Sequence, residues 1–217
     1  MSGREVALSE LERDALTELV NIGVSRAAAS LRNMVGNQVM LTVPSIELVS
    51  RKAAATLIQE RESGVLIAVL QDFEGEFSGR ALLIFPETNG LALVRAVTGD
   101  AVPPEEVPAM ETEALLETGN VVLNGCLGTM ANLLKRPLTL SLPHIIRGDG
   151  ELFFELAERA NDNGVVLFLY INFLISGHDV QGYIAMLMDM PSLESLKFLI
   201  GEFIERVIGA DDVGQLG

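Results

Sequence analysis

Residues 14–44 read DALTELVNIGVSRAAASLRNMVGNQVMLTVP, and residues 113–143 read EALLETGNVVLNGCLGTMANLLKRPLTLSLP. The two stretches align without a gap at an offset of 99 residues. Identities fall at Ala15/Ala114, Leu16/Leu115, Glu18/Glu117, Asn21/Asn120, Asn33/Asn132, Leu41/Leu140 and Pro44/Pro143, and the apolar pattern agrees through most of the rest. Further along, FSGRALLIFP (77–86) is similar to VQGYIAMLMDMP (180–191), with Gly79 opposite Gly182. The second copy is therefore four residues longer between the two blocks. A period near 100 is too long for a solenoid, so the chain reads as an internal duplication within one fold.

The duplication sets the organisation. Residues 1–217 form one domain of two repeats, approximately 9–99 and 109–208, joined by a connector at 100–108 that carries three prolines. Proline lacks the amide and clashes in a helix interior, which makes this segment a break between two helical patterns. Within the first repeat, Ser9-x-x-Glu12 is a capping box opening a helix that runs to about Met34. A strand over Gln38–Val49, a short helix over Ala53–Gln59 and a hairpin over Val65–Asp72 and Phe77–Phe85, turning at Glu74-Gly75, follow. Asn89–Val97 reads as a helix leading into the connector. The second repeat gives a helix over Glu111–Leu134, a strand over Leu138–Ile145 and an ambiguous Leu152–Glu158. A hairpin over Val165–Leu174 and Val180–Met188 turns at Gly177, and a closing helix over Leu193–Ile208 precedes a frayed end. The expected fold is α+β: a central sheet packed by long amphipathic helices, with pseudo-two-fold symmetry.

Composition narrows the function classes. The 217 residues carry 15 Lys+Arg against 30 Asp+Glu, a formal charge of −15, with half the residues apolar. That apolar content excludes global disorder. Phosphate-backbone binding selects for clustered Lys/Arg, and the basic residues here are scattered, so nucleic acid is not an expected partner. With no Trp and two Tyr, stacking platforms are poorly supplied as well. The longest apolar stretch, Val165–Ile175, already contains Asn172 and is far short of the roughly 20 residues that span a bilayer, so no membrane insertion is expected. The N-terminus lacks a secretory pattern, and the single cysteine, Cys126, cannot form an internal disulfide. The expected location is the cytoplasm.

The chemistry sits on two helix faces. Asp14, Glu18 and Asn21 occupy positions i, i+4 and i+7, projecting at roughly 0°, 40° and −20° in one narrow stripe. Ala15, Leu16, Leu19, Val20, Ala27 and Leu31 lie opposite and should face the core. Glu113, Glu117 and Asn120 make the same stripe in the second copy, opposed by Leu115, Val122, Cys126, Met130 and Leu133. Any amphipathic helix has a polar face, so one stripe says little. A mediocre helix former such as Asn kept at matched mid-helix positions in both copies says more. A carboxylate accepts from a cation, and an amide can hold a water in one orientation. With no nucleophile or strong base beside them, these groups suit a substrate that is already activated, such as an acyl phosphate.

The spacing Asp/Ser-x3-Glu-x2-Asn-x22-Pro resembles the signature of the CheC/CheX/FliY family of chemotaxis phosphatases. Asp14, Glu18, Asn21 and Pro44 fit it at every interval; Glu117, Asn120 and Pro143 fit it again, with Glu113 departing from the usual Asp or Ser. Two copies in one chain are similar to the CheC-type members. The resemblance implies hydrolysis of the acyl phosphate of a phosphorylated CheY-like response regulator, in chemotaxis or a related two-component pathway. By the same carry-over Asn21 and Asn120 orient the attacking water, and Glu18 and Glu117 pair with the regulator's lysine. Asp14 and Glu113 are peripheral contacts, and Pro44 and Pro143 are structural. No cofactor of the chain's own is implied, and Mg2+ is supplied by the regulator. A CheD-like receptor deamidase is implied as a second partner. The alternative is a non-catalytic adaptor of the same fold that controls either partner by occupancy.

Other constellations carry less. His144 and His178 have no ligand-spaced Cys or His companion, so no metal site is expected. A di-iron bundle needs Glu-x-x-His where this chain has Glu-x-x-Asn. Glu18 and Glu117 could serve as a glycosidase pair only within one cleft, about 5–10 Å apart. Cys126 lies on the core side of its helix and reads as an inert thiol. Met186, Met188 and Met190 alternate at strand spacing and read as packing.

Overall fold

A computed structural model describes residues 7–35, 38–89, 107–155, 164–175 and 178–214. The elements are α1 (Glu10–Val35), β1 (Val39–Ser50), α2 (Arg51–Arg61), β2 (Leu66–Glu74) and β3 (Gly79–Pro86) in the first repeat. The second contains α3 (Val107–Leu134), β4 (Thr139–Leu140), β5 (His144–Gly148), α4 (Gly150–Glu155), β6 (Val165–Ile175), β7 (His178–Met188) and α5 (Met190–Gly214).

The seven strands form one antiparallel sheet in the order β1-β6-β7-β3-β2, with β4 and β5 both pairing on the far side of β2. Exchanging the repeats reverses this order onto itself, so the expected pseudo-two-fold is present. Its seam is the β3–β7 ladder, where Leu82 pairs with Ala185 and Leu83 with Ile184. The aligned glycines confirm the operator. A Cβ on Gly79 would lie 2.2 Å from the carbonyl oxygen of Leu187, and one on Gly182 would lie 3.0 Å from that of Ile84. At Gly79 backbone from the other repeat occupies the space a side chain would take, and at Gly182 the Phe85 ring at 2.9 Å and the Ile84 carbonyl crowd it.

Both faces of the sheet are covered. Ile67, Val69, Phe73, Leu83, Phe85 and Ile184 face a core shared with α1, α3 and α5. Leu66, Ala68, Leu70, Phe168 and Tyr183 face a smaller core under α2 and α4. Burial on two faces explains why β2 reads LIAVL rather than alternating. Helices α1 and α3 pack closely, since a Cβ on Gly23 would lie 2.8 Å from the Cys126 Cα and one on Gly125 2.8 Å from the Ala27 Cβ.

Several boundaries differ from expectation. α2 starts at Arg51 because the Ser50 hydroxyl accepts from the Ala53 N–H and caps the helix there. α3 starts at Val107, so Pro108 stands in its first turn, where a missing N–H costs nothing. It ends at Lys135, in the left-handed region at φ 58°, with the Arg136 N–H donating to the Ala131 carbonyl at 2.9 Å. The expected strand over Leu138–Ile145 is instead two strands, β4 and β5. The described part of the ambiguous segment, 152–155, falls in α4, and the closing helix continues to Gly214 where fraying was expected. Glycine weakens a helix without removing its backbone bonds. The expected helix beyond Asn89, most of the connector and the Gly177 turn lie outside the described residues. Among the described residues no helix is long and apolar enough to cross a membrane.

Candidate functional site

The capping box forms as the sequence specifies. The Ser9 N–H donates to Glu12 Oε2 at 2.7 Å, and the Glu12 N–H donates to Ser9 Oγ at 3.2 Å. Burial opposes ionisation of Glu12, yet the Ser9 N–H, the Ser9 hydroxyl and Lys197 outweigh it and hold the carboxyl below its ordinary value. With its start fixed, α1 buries Leu16, Leu19, Val20, Val24, Ala27 and Leu31 against the sheet. That rotation leaves Asp14 and Glu18 exposed and Asn21 half-buried at the foot of the stripe. Helix α3 repeats the arrangement: Leu115, Val122, Leu123, Cys126 and Met130 are buried, Glu113 and Glu117 exposed, and Asn120 half-buried. Leu133, expected in the core, is only half-buried but packs against it.

Pro44 and Pro143 occupy equivalent irregularities. Along β1 the register moves from Thr42↔Asn172 to Ser45↔Tyr170, three residues against two. Between β4 and β5 it moves from Leu140↔Phe73 to His144↔Leu70, four residues against three. Each proline therefore sits at a one-residue bulge in an edge strand, where its missing N–H breaks no ladder bond. The Pro143 bulge is also what divides the expected strand in two.

The second copy contains a network that the repeat alone did not reveal. Asn120 Oδ1 accepts from Asn124 Nδ2 at 2.7 Å and from Gln71 Nε2 at 3.3 Å. Gln71, on β2, is 1% exposed and donates from the same nitrogen to the Ser141 carbonyl at 3.0 Å. Ser141 in turn accepts at Oγ from the Asp72 N–H and donates its own N–H to the Asp72 carbonyl, both at 2.9 Å. The motif asparagine and the motif proline's bulge are thus joined through one buried glutamine. In the first copy no side-chain hydrogen bond to Asn21 is found among the described residues, and the counterpart of Asn124 is the exposed Ser25. Asn124 was legible as a fourth polar residue, one turn beyond Asn120. Gln71 had a weaker signal, as a polar side chain next to Asp72 in an otherwise apolar strand run.

The remaining candidates fall as follows. Burial pushes the Cys126 thiol up to about 12, so it is no thiolate nucleophile near neutrality. His144 is exposed on the edge strand β5. Met186 and Met188 are core residues and Met190 is half-buried. Among the described residues no group of three or more His, Cys, Asp or Glu side chains is placed to hold a metal ion. The motifs leave carboxylates above a half-buried amide on each of two helices, a surface that can pair with a cation and hold a water.

No family model matches the chain. A search of characterised proteins finds the CheY-P phosphatase CheC of Bacillus subtilis, 23% identical over 206 residues that cover 89% of this chain and 96% of that protein. Over most of its length the chain is thus similar to a protein of the CheC/CheX/FliY family. The flagellar motor switch phosphatase FliY of the same organism is 23% identical over 140 residues, 64% of this chain but only 36% of that protein's length. The expected α+β fold is shared by the crystal structure of Thermotoga maritima FliY, which matches with a TM-score of 0.70 at 17% identity and covers 91% of this chain and all of that one.

Proposed function

We propose that the chain is a phosphatase that hydrolyses the acyl phosphate of a phosphorylated CheY-like response regulator, in bacterial chemotaxis or a related two-component pathway. The observation that carries this reading is the pair of equivalent surfaces on α1 and α3, each with exposed Glu above half-buried Asn. The name of the Bacillus subtilis CheC relative, a CheY-P phosphatase, gives the substrate class.

The reaction asks little covalent chemistry of the chain. Water attacks phosphorus, the bond from phosphorus to the aspartyl oxygen breaks, and the aspartate leaves as a carboxylate with inorganic phosphate. The barrier is met chiefly by placing the water in line, which an amide held at the rim of a docked interface can do. We assign that role to Asn21 and Asn120. Glu18 and Glu117, exposed beside them, pair with the regulator's active-site lysine and fix the dock, and Asp14 and Glu113 lie at its edge. Pro44 and Pro143 shape the strands beneath. The magnesium ion is assigned to the regulator's own phosphoaspartate pocket. We place the reaction in the cytoplasm, where such regulators act, and include a CheD-like deamidase as a second partner.

The test is loss of phosphate from a phosphorylated CheY-type regulator with catalytic amounts of the chain. Asn21→Ala and Asn120→Ala should each leave turnover from the other site, and the double variant should leave only the regulator's intrinsic decay. A wild-type chain that binds the regulator without accelerating decay would establish the adaptor role instead.

A further inference from the structure

Resting on the phosphatase reading, we propose that Gln71, a buried strand residue outside the repeated motif, is the positioning residue that presets the Asn120 amide, making the two sites mechanically unequal.

The orientation of each amide in the network follows from chemistry. The Ser141 carbonyl can only accept, so the Gln71 atom 3.0 Å from it is the Nε2 donor. That same nitrogen faces Asn120 at 3.3 Å, so the Asn120 atom there is the Oδ1 acceptor. Asn124 then meets this oxygen with Nδ2 at 2.7 Å. A backbone carbonyl thereby dictates the side-chain orientation of Asn120, with two donors on Oδ1. Asn21 lacks any such anchor among the described residues and must find its orientation when the regulator docks.

Stability explains Gln71 only in part, since its two Nε2 hydrogen bonds are set against an unsatisfied Oε1. It is 1% exposed, and its own Oε1 is buried with no partner among the described residues. A buried acceptor left unsatisfied is destabilising, and an apolar side chain of the same shape avoids that cost. What an apolar side chain cannot do is hold Asn120 Oδ1. Preorganising the amide lowers the entropy lost on the way to the transition state, so the effect belongs in kcat rather than in binding.

Single-site backgrounds test this. In the Asn21→Ala chain only Asn120 works, and adding Gln71→Met should lower kcat for phosphate release about ten-fold with KM unchanged. In the Asn120→Ala chain the same substitution has no motif amide to release, so the loss should be confined to the first background. Because Met sheds the unsatisfied Oε1 but also loses both Nε2 hydrogen bonds, Tm does not discriminate here, and the background-selective loss of kcat at constant KM is the readout that a merely structural residue would not give. Should Gln71→Met fail to fold, Asn124→Ser, which installs the first copy's residue, removes the other donor at a half-buried position and should also lower kcat selectively. Equal losses in both backgrounds, an unchanged kcat in the Asn21→Ala background, an inactive Asn21→Ala chain or a change confined to KM each overturn the inference. A wild-type chain without turnover overturns the phosphatase reading itself, a result distinct from turnover that is indifferent to Gln71.

Discussion

Gly119 stands between Glu117 and Asn120 and brings α3 down onto β2. A Cβ there would lie 2.4, 2.5 and 2.7 Å from Cγ1, Cβ and Cγ2 of Val69, so an alanine has nowhere to go without moving helix or strand. Gly128 and Gly201 lie in helices with nothing within 4 Å of the same added atom. All three Gly→Ala changes should gain about 1 kcal/mol of helix propensity. Only Gly119→Ala also incurs the overpacking cost, about 1–3 kcal/mol. We therefore predict that Gly128→Ala and Gly201→Ala raise Tm and that Gly119→Ala falls below both by about 1–3 kcal/mol. For a chain of this size each kcal/mol is worth about 2–4 °C. Urea unfolding at constant m-value gives the free energies directly. Trimming Val69 to alanine should recover part of the loss in the Gly119→Ala background while destabilising the wild type, a coupling that a double-mutant cycle isolates. If Gly119→Ala is as stable as Gly128→Ala, α3 is not seated on Val69, and the placement of Asn120 over Gln71 fails with it.

Four further outcomes follow from single groups. Ser9→Ala removes the hydroxyl that accepts from Glu12 N–H and should cost about 1 kcal/mol in thermal unfolding. Because the folded Glu12 carboxyl lies below its unfolded value, its contribution is present above the ordinary carboxylate range and lost as pH falls through the folded value; the stability gap to Glu12→Gln should close on acidification. Cys126, with its thiol pushed up to about 12, should resist iodoacetamide at pH 8 until urea unfolds the chain, and rapid native labelling would contradict its burial. Burial raises both Tyr170 and Tyr183, with Glu47 adding to the first and a hydrogen bond to Glu62 to the second. The unfolded tyrosines then release their protons first, so stability should fall as pH rises beyond about 10, and absorbance at the tyrosinate band should appear only with unfolding.

Much of the fold was legible because it rests on local rules stated twice. Ser9 and Glu12 mark a helix start, and that start fixes which residues of α1 turn inward; Leu16, Leu19, Val20, Ala27 and Leu31 follow at helical spacing and are buried. The candidate site was legible through recurrence, since Glu18/Asn21 and Glu117/Asn120 become conspicuous only when one copy is laid over the other. What stayed hidden depends on pairing across the chain. Pro143 was visible, but a bulge is defined by the partner strand, and the partner β2 lies in the other repeat. Gln71 was hidden more thoroughly. A strand buried on both faces has no polar alternation to violate, and its glutamine meets Asn120 across 49 residues of sequence.

The strand order has a further consequence for how the two halves depend on each other. β1 pairs with β6 of the second repeat, and β5 with β2 of the first. Each repeat thus lends its leading strand to its sibling's hairpin, as two hands clasp by exchanging fingers. A repeat excised from the chain would keep a hairpin without a neighbour and a strand without a mate. Both vacancies are complementary to those of an identical fragment. Such a fragment should emerge as a homodimer in which the approximate internal axis becomes a true rotation axis, and its stability should depend on protein concentration.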